Sequence, residues 1–251
     1  MRGQAILRIL VLALAAFALA MLLLPLLGGG YSPLAQVSAY VLTLACAGLF
    51  LYGLIAIWED LPTPVLLALG AAAAVLSVPA AYISRPEVLA EGAGALALLV
   101  LLLANVFRLV AAGALACALA RHVTSPGVAL LIVVVATVSD LFSVFAGPTR
   151  ALVREDSPAL DFLLLIFPAF GQPAGFALGI SDFIFIVLFA ATARYLGLRY
   201  PLTLAAGLAA TLLAMVCGLV LQRPLPALPF VALSFVAVNL PPLMGALRKN
   251  R

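Results

Sequence analysis

"GFALGISDFIFIV" (175–187) is apolar on both sides of a single carboxylate, Asp182. An ionised Asp at the centre of a membrane helix costs about 2.5–3.5 kcal/mol on insertion scales, so an acid in such a run is by default a functional group. Whether the run is a membrane segment depends on the chain around it.

Two-thirds of the 251 residues are hydrophobic (67%), 9% are charged, and the mean hydropathy is +1.30. Soluble domains carry about a quarter charged residues, so this composition is that of a polytopic membrane protein. The formal net charge of +4 comes from Arg and Lys at the ends of apolar runs. Such charges set topology, and no basic patch with interleaved aromatics suggests nucleic acid. Cys46, Cys117 and Cys217 each sit inside an apolar run without metal-ligand spacing and read as small core residues. His122 is the only His in the chain and lies in a turn beside Arg121, which argues against a metal site.

A span takes about 20 apolar residues. Runs of that kind occur at about 5–27, 35–57, 64–84, 93–120, 126–147, 172–194, 200–222 and 227–246, eight in all. The first has a basic start and small residues near "FALA", as a signal peptide does, but with several spans following it reads as a retained helix. Residues 88–120 would form a helix of about 50 Å, longer than the hydrocarbon core, so a ninth span or a break near Arg108 is an alternative there. "GGGYSP", "EDLPTP", "SRPE", "RHVTSPG" and "RYLGLRYP" mark the connections and leave no room for a soluble domain. The one long connection, 148–171, holds charges of both signs and then the apolar "FLLLIF".

With eight spans, one side collects Arg2, Arg8, Arg121, Arg194, Arg199, Arg248, Lys249 and Arg251, against Arg85, Arg150, Arg154 and Arg223 opposite. The positive-inside rule then makes the C-terminus cytoplasmic and turns the 148–171 connection outward, with the plasma (inner) membrane as the expected location.

Inside the apolar runs, away from their ends, the acids reduce to Asp140, in "VVVATVSDLFSVFAG" (133–147), and Asp182. Asp140 precedes the long connection by about two helical turns and Asp182 follows it by about three, so two antiparallel helices would carry both at similar depth. Facing each other in a low dielectric, they would share one proton. The ionised member of such a pair takes a proton from water, while the protonated member polarises a peptide carbonyl and later protonates the leaving nitrogen. A proton or ion pathway is an alternative use of the same two acids. So is a structural tie to Ser139, Ser181, Arg108 or the backbone.

Three stretches, in order along the chain, resemble the intramembrane aspartyl proteases of the presenilin and signal peptide peptidase family. "SDLFSVFAGPTRALVRE" (139–155) is similar to the family's Tyr-Asp helix and the loop after it. "LGISDFIF" (178–185) resembles the Gly-x-Gly-Asp helix, and "LPALPF" (225–230) contains the Pro-Ala-Leu motif as Pro226, Ala227 and Leu228. "FLLLIFP" (162–168) resembles the extended segment that precedes the second Asp helix in signal peptide peptidases. The likeness covers roughly residues 126–246. Two positions depart from it: Ser139 stands where the family usually has Tyr, and Ser181 replaces the second Gly of the motif. Gly at the second position allows close backbone approach, so Ser there bears on substrate range or activity.

The resemblance implies an all-α multi-pass protein with scaffold helices in 1–125 and catalytic helices in 126–251. It implies hydrolysis of peptide bonds within or near transmembrane segments, remnant signal peptides included. Asp140 and Asp182 would be the catalytic pair, Gly179, Ile180 and Ser181 the frame of the second Asp, and Pro226, Ala227 and Leu228 the adjacent wall. The partners would be transmembrane peptide substrates and the lipid bilayer, with no cofactor and no metal, since water is the nucleophile. A coupled transporter or channel, and an inactive homologue that binds membrane segments, are the competing expectations; no inverted repeat of the transporter kind is visible.

On residue chemistry alone, Pro224, Pro226 and Pro229 predict irregular backbone at or within the last span, or else prolines in the first turn of an ordinary helix. Irregular backbone at membrane depth is tolerated where it is buried or lines a wet cavity. "DFLLLIF" (161–167) is a candidate strand for pairing with an unwound substrate, or an interfacial apolar segment. Arg108, with Asn105 one turn before it, is expected to pair with an acid or to reach the interface at a kink or span boundary, without a catalytic role.

Overall fold

Long runs of Leu, Ala and Val with few breakers dictate helices, and the computed structural model is mostly helical. It describes residues 2–27, 32–83, 95–145, 147, 160–223 and 225–249. The helices are α1 (Arg2–Leu23), α2 (Pro33–Trp58), α3 (Thr63–Ile83), α4 (Ala95–Ala120), α5 (Pro126–Phe145), α6 (Ile180–Tyr195), α7 (Tyr200–Leu221) and α8 (Leu228–Lys249). A 3-10 turn, Leu24–Leu26, extends α1, and a single helical turn, Leu160–Leu163, precedes the strands β1 (Leu164–Ala169) and β2 (Gln172–Gly179). Among the described residues six helices are long and apolar enough to cross a membrane: Gln4–Leu26, Pro33–Trp58, Ala95–Ala120, Pro126–Phe145, Tyr200–Leu221 and Leu228–Gly245. The chain is thus a polytopic helical membrane protein. The apolar part of α3, Thr63–Pro79, is shorter.

Two sequence expectations change. The run 172–194 is not one span: its first eight residues form β2, and the helix behind them, α6, has 16 residues. Asp182 therefore lies in the first turn of a helix and not three turns into one. The physical reason lies in "PAFGQPAGF" (168–176), where Gly171 takes φ +71° at the turn and the prolines and glycines around it disfavour helix. Hydropathy alone cannot separate an apolar strand from an apolar helix. The second change concerns the run 88–120, where a ninth span or a break near Arg108 was the alternative: α4 is continuous from Ala95 to Ala120, so no break occurs at Arg108, and residues 88–94 lie outside the described residues.

The chain divides into two compact units. The first comprises Met1–Leu115 and Pro158–Phe183. Within it α1 approaches α2 closely at Gly53, where an added Cβ would stand 3.0 Å from Leu10 Cδ1 and 3.3 Å from Leu10 Cα. Gly70 and Gly113 make similar room for Ala114 and for the ring of Trp58. The hairpin is built into this unit: β1 and β2 pair antiparallel with Leu165 opposite Leu178, Ile166 opposite Ala177 and Phe167 opposite Phe176, and an irregularity at Pro168. Its turn is tied down where the Gly171 N–H donates to Leu24 O, 3.0 Å. Phe167, fully buried, stacks on Phe176 at 4.9 Å and meets Phe17 edge-on at 6.3 Å, while Tyr40 contacts Phe176 at 4.1 Å. Such ring pairs contribute about 0.5–1.5 kcal/mol each beyond area burial.

The second unit comprises Ala116–Ser157 and Ile184–Arg251. Within it α8 packs against α5 and α7, and Phe189 of α6 stacks on Phe235 of α8 at 4.9 Å. The start of α7 carries no side-chain cap from its own N-terminal residue, Arg199. Asn239 of α8 caps it instead. Its carbonyl oxygen accepts the Arg199 N–H at 3.0 Å, and its amide donates to Thr203 Oγ1 at 2.8 Å and to Phe235 O at 3.0 Å. A helix N-terminus needs such acceptors for its first N–H groups.

Candidate active site

α5 begins where Ser125 accepts the Val128 N–H with its hydroxyl and Pro126 supplies a preset first turn. The apolar run that follows holds the helix to Phe145 and brings Asp140, half-buried, to its C-terminal part. One carboxylate oxygen of Asp140 accepts the backbone N–H of Leu228 at 3.0 Å.

The residues around Leu228 account for that bond. Pro226, Ala227 and Leu228 are buried, and α8 starts at Leu228. Pro229, its second residue, has no N–H to offer. The N–H groups of Phe230 and Val231 both go to Ala227 O, at 3.1 Å each. The Leu228 amide is the donor of that first turn that looks outward for a partner, and Asp140 provides it. Pro226 lies in irregular backbone just before α8 and Pro229 in its first turn, Pro224 lies outside the described residues, and Leu228 of the Pro-Ala-Leu stretch bonds Asp140.

Asp182, also half-buried, stands in the first turn of α6, behind Ile180 and the exposed Ser181. Phe183, fully buried, fixes the helix start against Phe167 of β1, ring centroids 6.1 Å apart. Gly179, the last residue of β2, lies over the carboxylate: a Cβ added there would stand 3.1 Å from Ser181 Oγ and 3.4 Å from Asp182 Oδ2. The structure thus brings Gly179 and Ser181 to Asp182, and Leu228 to Asp140.

No family model and no curated protein matches the chain. The site rests on its own geometry.

Two polar residues of α4 meet the hairpin. Asn105 and Arg108 are buried, at 0% and 1% exposure. The Asn105 amide donates to Ile166 O and its carbonyl oxygen accepts the Ile166 N–H at 3.2 Å. Arg108 Nη1 donates to Leu164 O at 2.7 Å. In an antiparallel strand the N–H and C=O of one residue point to the same edge. β1 is therefore bonded on both edges, by β2 on one and by α4 side chains on the other. The strand expected in "DFLLLIF" exists from Leu164, but its outer edge is filled. The available signal was the spacing itself, two strongly polar residues one turn apart in an apolar helix, each needing a partner.

Proposed function

We propose that the protein is an intramembrane aspartic endopeptidase that hydrolyses peptide bonds within or near transmembrane segments, with Asp140 and Asp182 as its catalytic pair. The observation that carries this reading is the hydrogen bond from Leu228 N–H to Asp140. It joins two of the three motifs through one carboxylate, and a transporter reading gives the Pro-Ala-Leu stretch no task.

In the proposed reaction the two acids share a proton. The ionised carboxylate takes a proton from water, the hydroxyl oxygen attacks the peptide carbonyl, and the protonated carboxyl polarises that carbonyl and then protonates the leaving nitrogen. The Leu228 N–H holds one oxygen of Asp140 in place, which leaves the other for water or proton. Gly179 and Ser181 shape the space at Asp182, and Pro226 and Ala227 support Leu228. A helical substrate hides its peptide bonds and must be extended before it is cut. Ala177 and Gly179 stand opposite Ile166 and Leu164, whose outward groups meet α4, so their own N–H and C=O groups point to the outer edge of β2. A substrate strand added there would run toward Asp182. Helices of 1–125 would serve as scaffold and substrate access, and the C-terminus would lie on the cytoplasmic side of the plasma (inner) membrane.

The test uses purified protein in liposomes with a labelled single-span substrate, comparing wild type with Asp140→Asn and Asp182→Asn by mass spectrometry of the products. Cleavage within the span that both substitutions abolish is the expected result. Wild-type protein that leaves a panel of such substrates intact would overturn it, and proton or cation flux through the same two residues would then be measured.

A further inference from the structure

An arginine near the midpoint of a membrane helix is expensive, about 2.5–3.5 kcal/mol on insertion scales, and a buried Asn adds its own cost. The chain carries both on one face of α4, at Asn105 and Arg108, and spends them on the backbone of a strand. Asn105 brackets Ile166 as a neighbouring strand would, donating to its C=O and accepting from its N–H. Arg108 takes the Leu164 C=O two residues away, on the same edge. Apolar packing alone, with Leu165 and Phe167 fully buried, would seat the hairpin but would leave it free to slide along its own axis. Directed bonds to named carbonyls remove that freedom.

We propose that Asn105 and Arg108 are positioning residues that fix the register of the hairpin against α4, and through β2 and Gly179 the place of Asp182 relative to a bound substrate. This rests on the proteolytic reading above. The chain of connection is short: Leu164 lies opposite Gly179, and Asp182 follows Gly179 by one turn of helix. Both residues act through the backbone of β1. Their effect is on which bond is presented, so their loss scatters the cut, whereas mere destabilisation yields less product with the same ends.

The experiment compares full-length wild type, Asn105→Leu, Arg108→Met and Arg108→Lys in lipid nanodiscs. Two readouts are taken: hydrogen exchange of the amides in 164–179, and the distribution of product ends from a single-span substrate. Losing one or two buried hydrogen bonds corresponds to about tenfold faster local exchange. The expected result is that rise in Asn105→Leu and Arg108→Met with exchange in α7 unchanged, together with product ends spread over neighbouring bonds. Arg108→Lys, which keeps a donor for Leu164 O, should restore both readouts toward wild type. Unchanged exchange in 164–179, or product ends that stay put while yield falls, overturns the proposal. Should Asn105→Leu not fold, the Met and Lys variants at 108 decide alone. Should wild type cleave nothing, the proteolytic reading fails, and the positioning role in cleavage falls with it even if exchange rises.

Discussion

One carboxylate oxygen of Asp140 lies 3.0 Å from the backbone nitrogen of Leu228, 88 residues along the chain. The contact places the first turn of α8 against the C-terminal part of α5, and it uses a main-chain donor, which no ordinary side-chain substitution removes. Proline removes it. Proline is also tolerated at the first position of a helix, so Leu228→Pro should retain α8 while deleting the bond. Leu228→Ala keeps the N–H and loses only packing. A hydrogen bond to a charged group contributes about 1.5–3 kcal/mol. Leu228→Pro should therefore cleave about tenfold to a hundredfold more slowly than Leu228→Ala, measured as initial rates in proteoliposomes. Equal rates would remove the bond from the mechanism.

Gly179 makes a sharper steric prediction. A Cβ at this position would press on Ser181 Oγ at 3.1 Å and on Asp182 Oδ2 at 3.4 Å. Gly179→Ala should lower cleavage several-fold without loss of folded protein, and Gly179→Val should nearly abolish it. Because the tighter contact is with the serine hydroxyl, Ser181→Gly should recover part of the alanine defect. A double-mutant cycle on cleavage rates measures that coupling. Additive effects would mean that the two side chains do not crowd each other.

How far the sequence could be read depended on the kind of signal. The long Leu, Ala and Val runs of α1, α2, α4, α5, α7 and α8 declared themselves through length and hydropathy, because a span needs nothing else. The run 172–194 did not, since an apolar strand in a protein interior is as greasy as a helix. Its turn residues, Pro168, Gly171, Pro173 and Gly175, were the counter-signal. Asp140, Asp182 and the Pro-Ala-Leu stretch stood out as a charge and prolines where neither comes cheaply. The bond between Asp140 and Leu228 was beyond reach, because it belongs to the backbone and to packing across 88 residues. Asn105 and Arg108 were visible as polar residues, but the groups of β1 that they bond are main-chain groups and carry no side-chain signature.

Asn239 tests the second unit independently of catalysis. It is fully buried and serves three partners, Arg199 N–H, Thr203 Oγ1 and Phe235 O. Asn239→Leu would leave the first N–H of α7 and the Thr203 hydroxyl without it. Each buried group left unsatisfied costs about 1–3 kcal/mol, although Thr203 retains its own bond to Arg199 O. A loss of about 2 kcal/mol is expected, seen as a lower midpoint in denaturation in mixed micelles. Thr203→Val, which removes one partner only, should cost less. A neutral Asn239→Leu would mean that packing alone holds the start of α7.

Two glycines should respond to alanine in opposite directions. At Gly175 an added Cβ would run into Ala169, 2.6 Å from its nitrogen and 3.0 Å from its Cα, so the backbone of the hairpin must move. At Gly207, inside α7, the nearest atoms to an added Cβ are Ile186 Cγ2 at 3.5 Å and Val231 Cγ1 at 3.8 Å, which is ordinary contact. Gly207→Ala should therefore gain helix propensity, about 0.5–1 kcal/mol, and raise the unfolding midpoint slightly. Gly175→Ala should instead loosen the hairpin, raise hydrogen exchange across 164–179, and reduce cleavage although Gly175 is seven residues from Asp182. The pair separates a general tolerance of alanine in a small-residue protein from a specific need for close backbone approach in the hairpin. If both variants behaved alike, the close approach of Gly175 to Ala169 would not limit the hairpin.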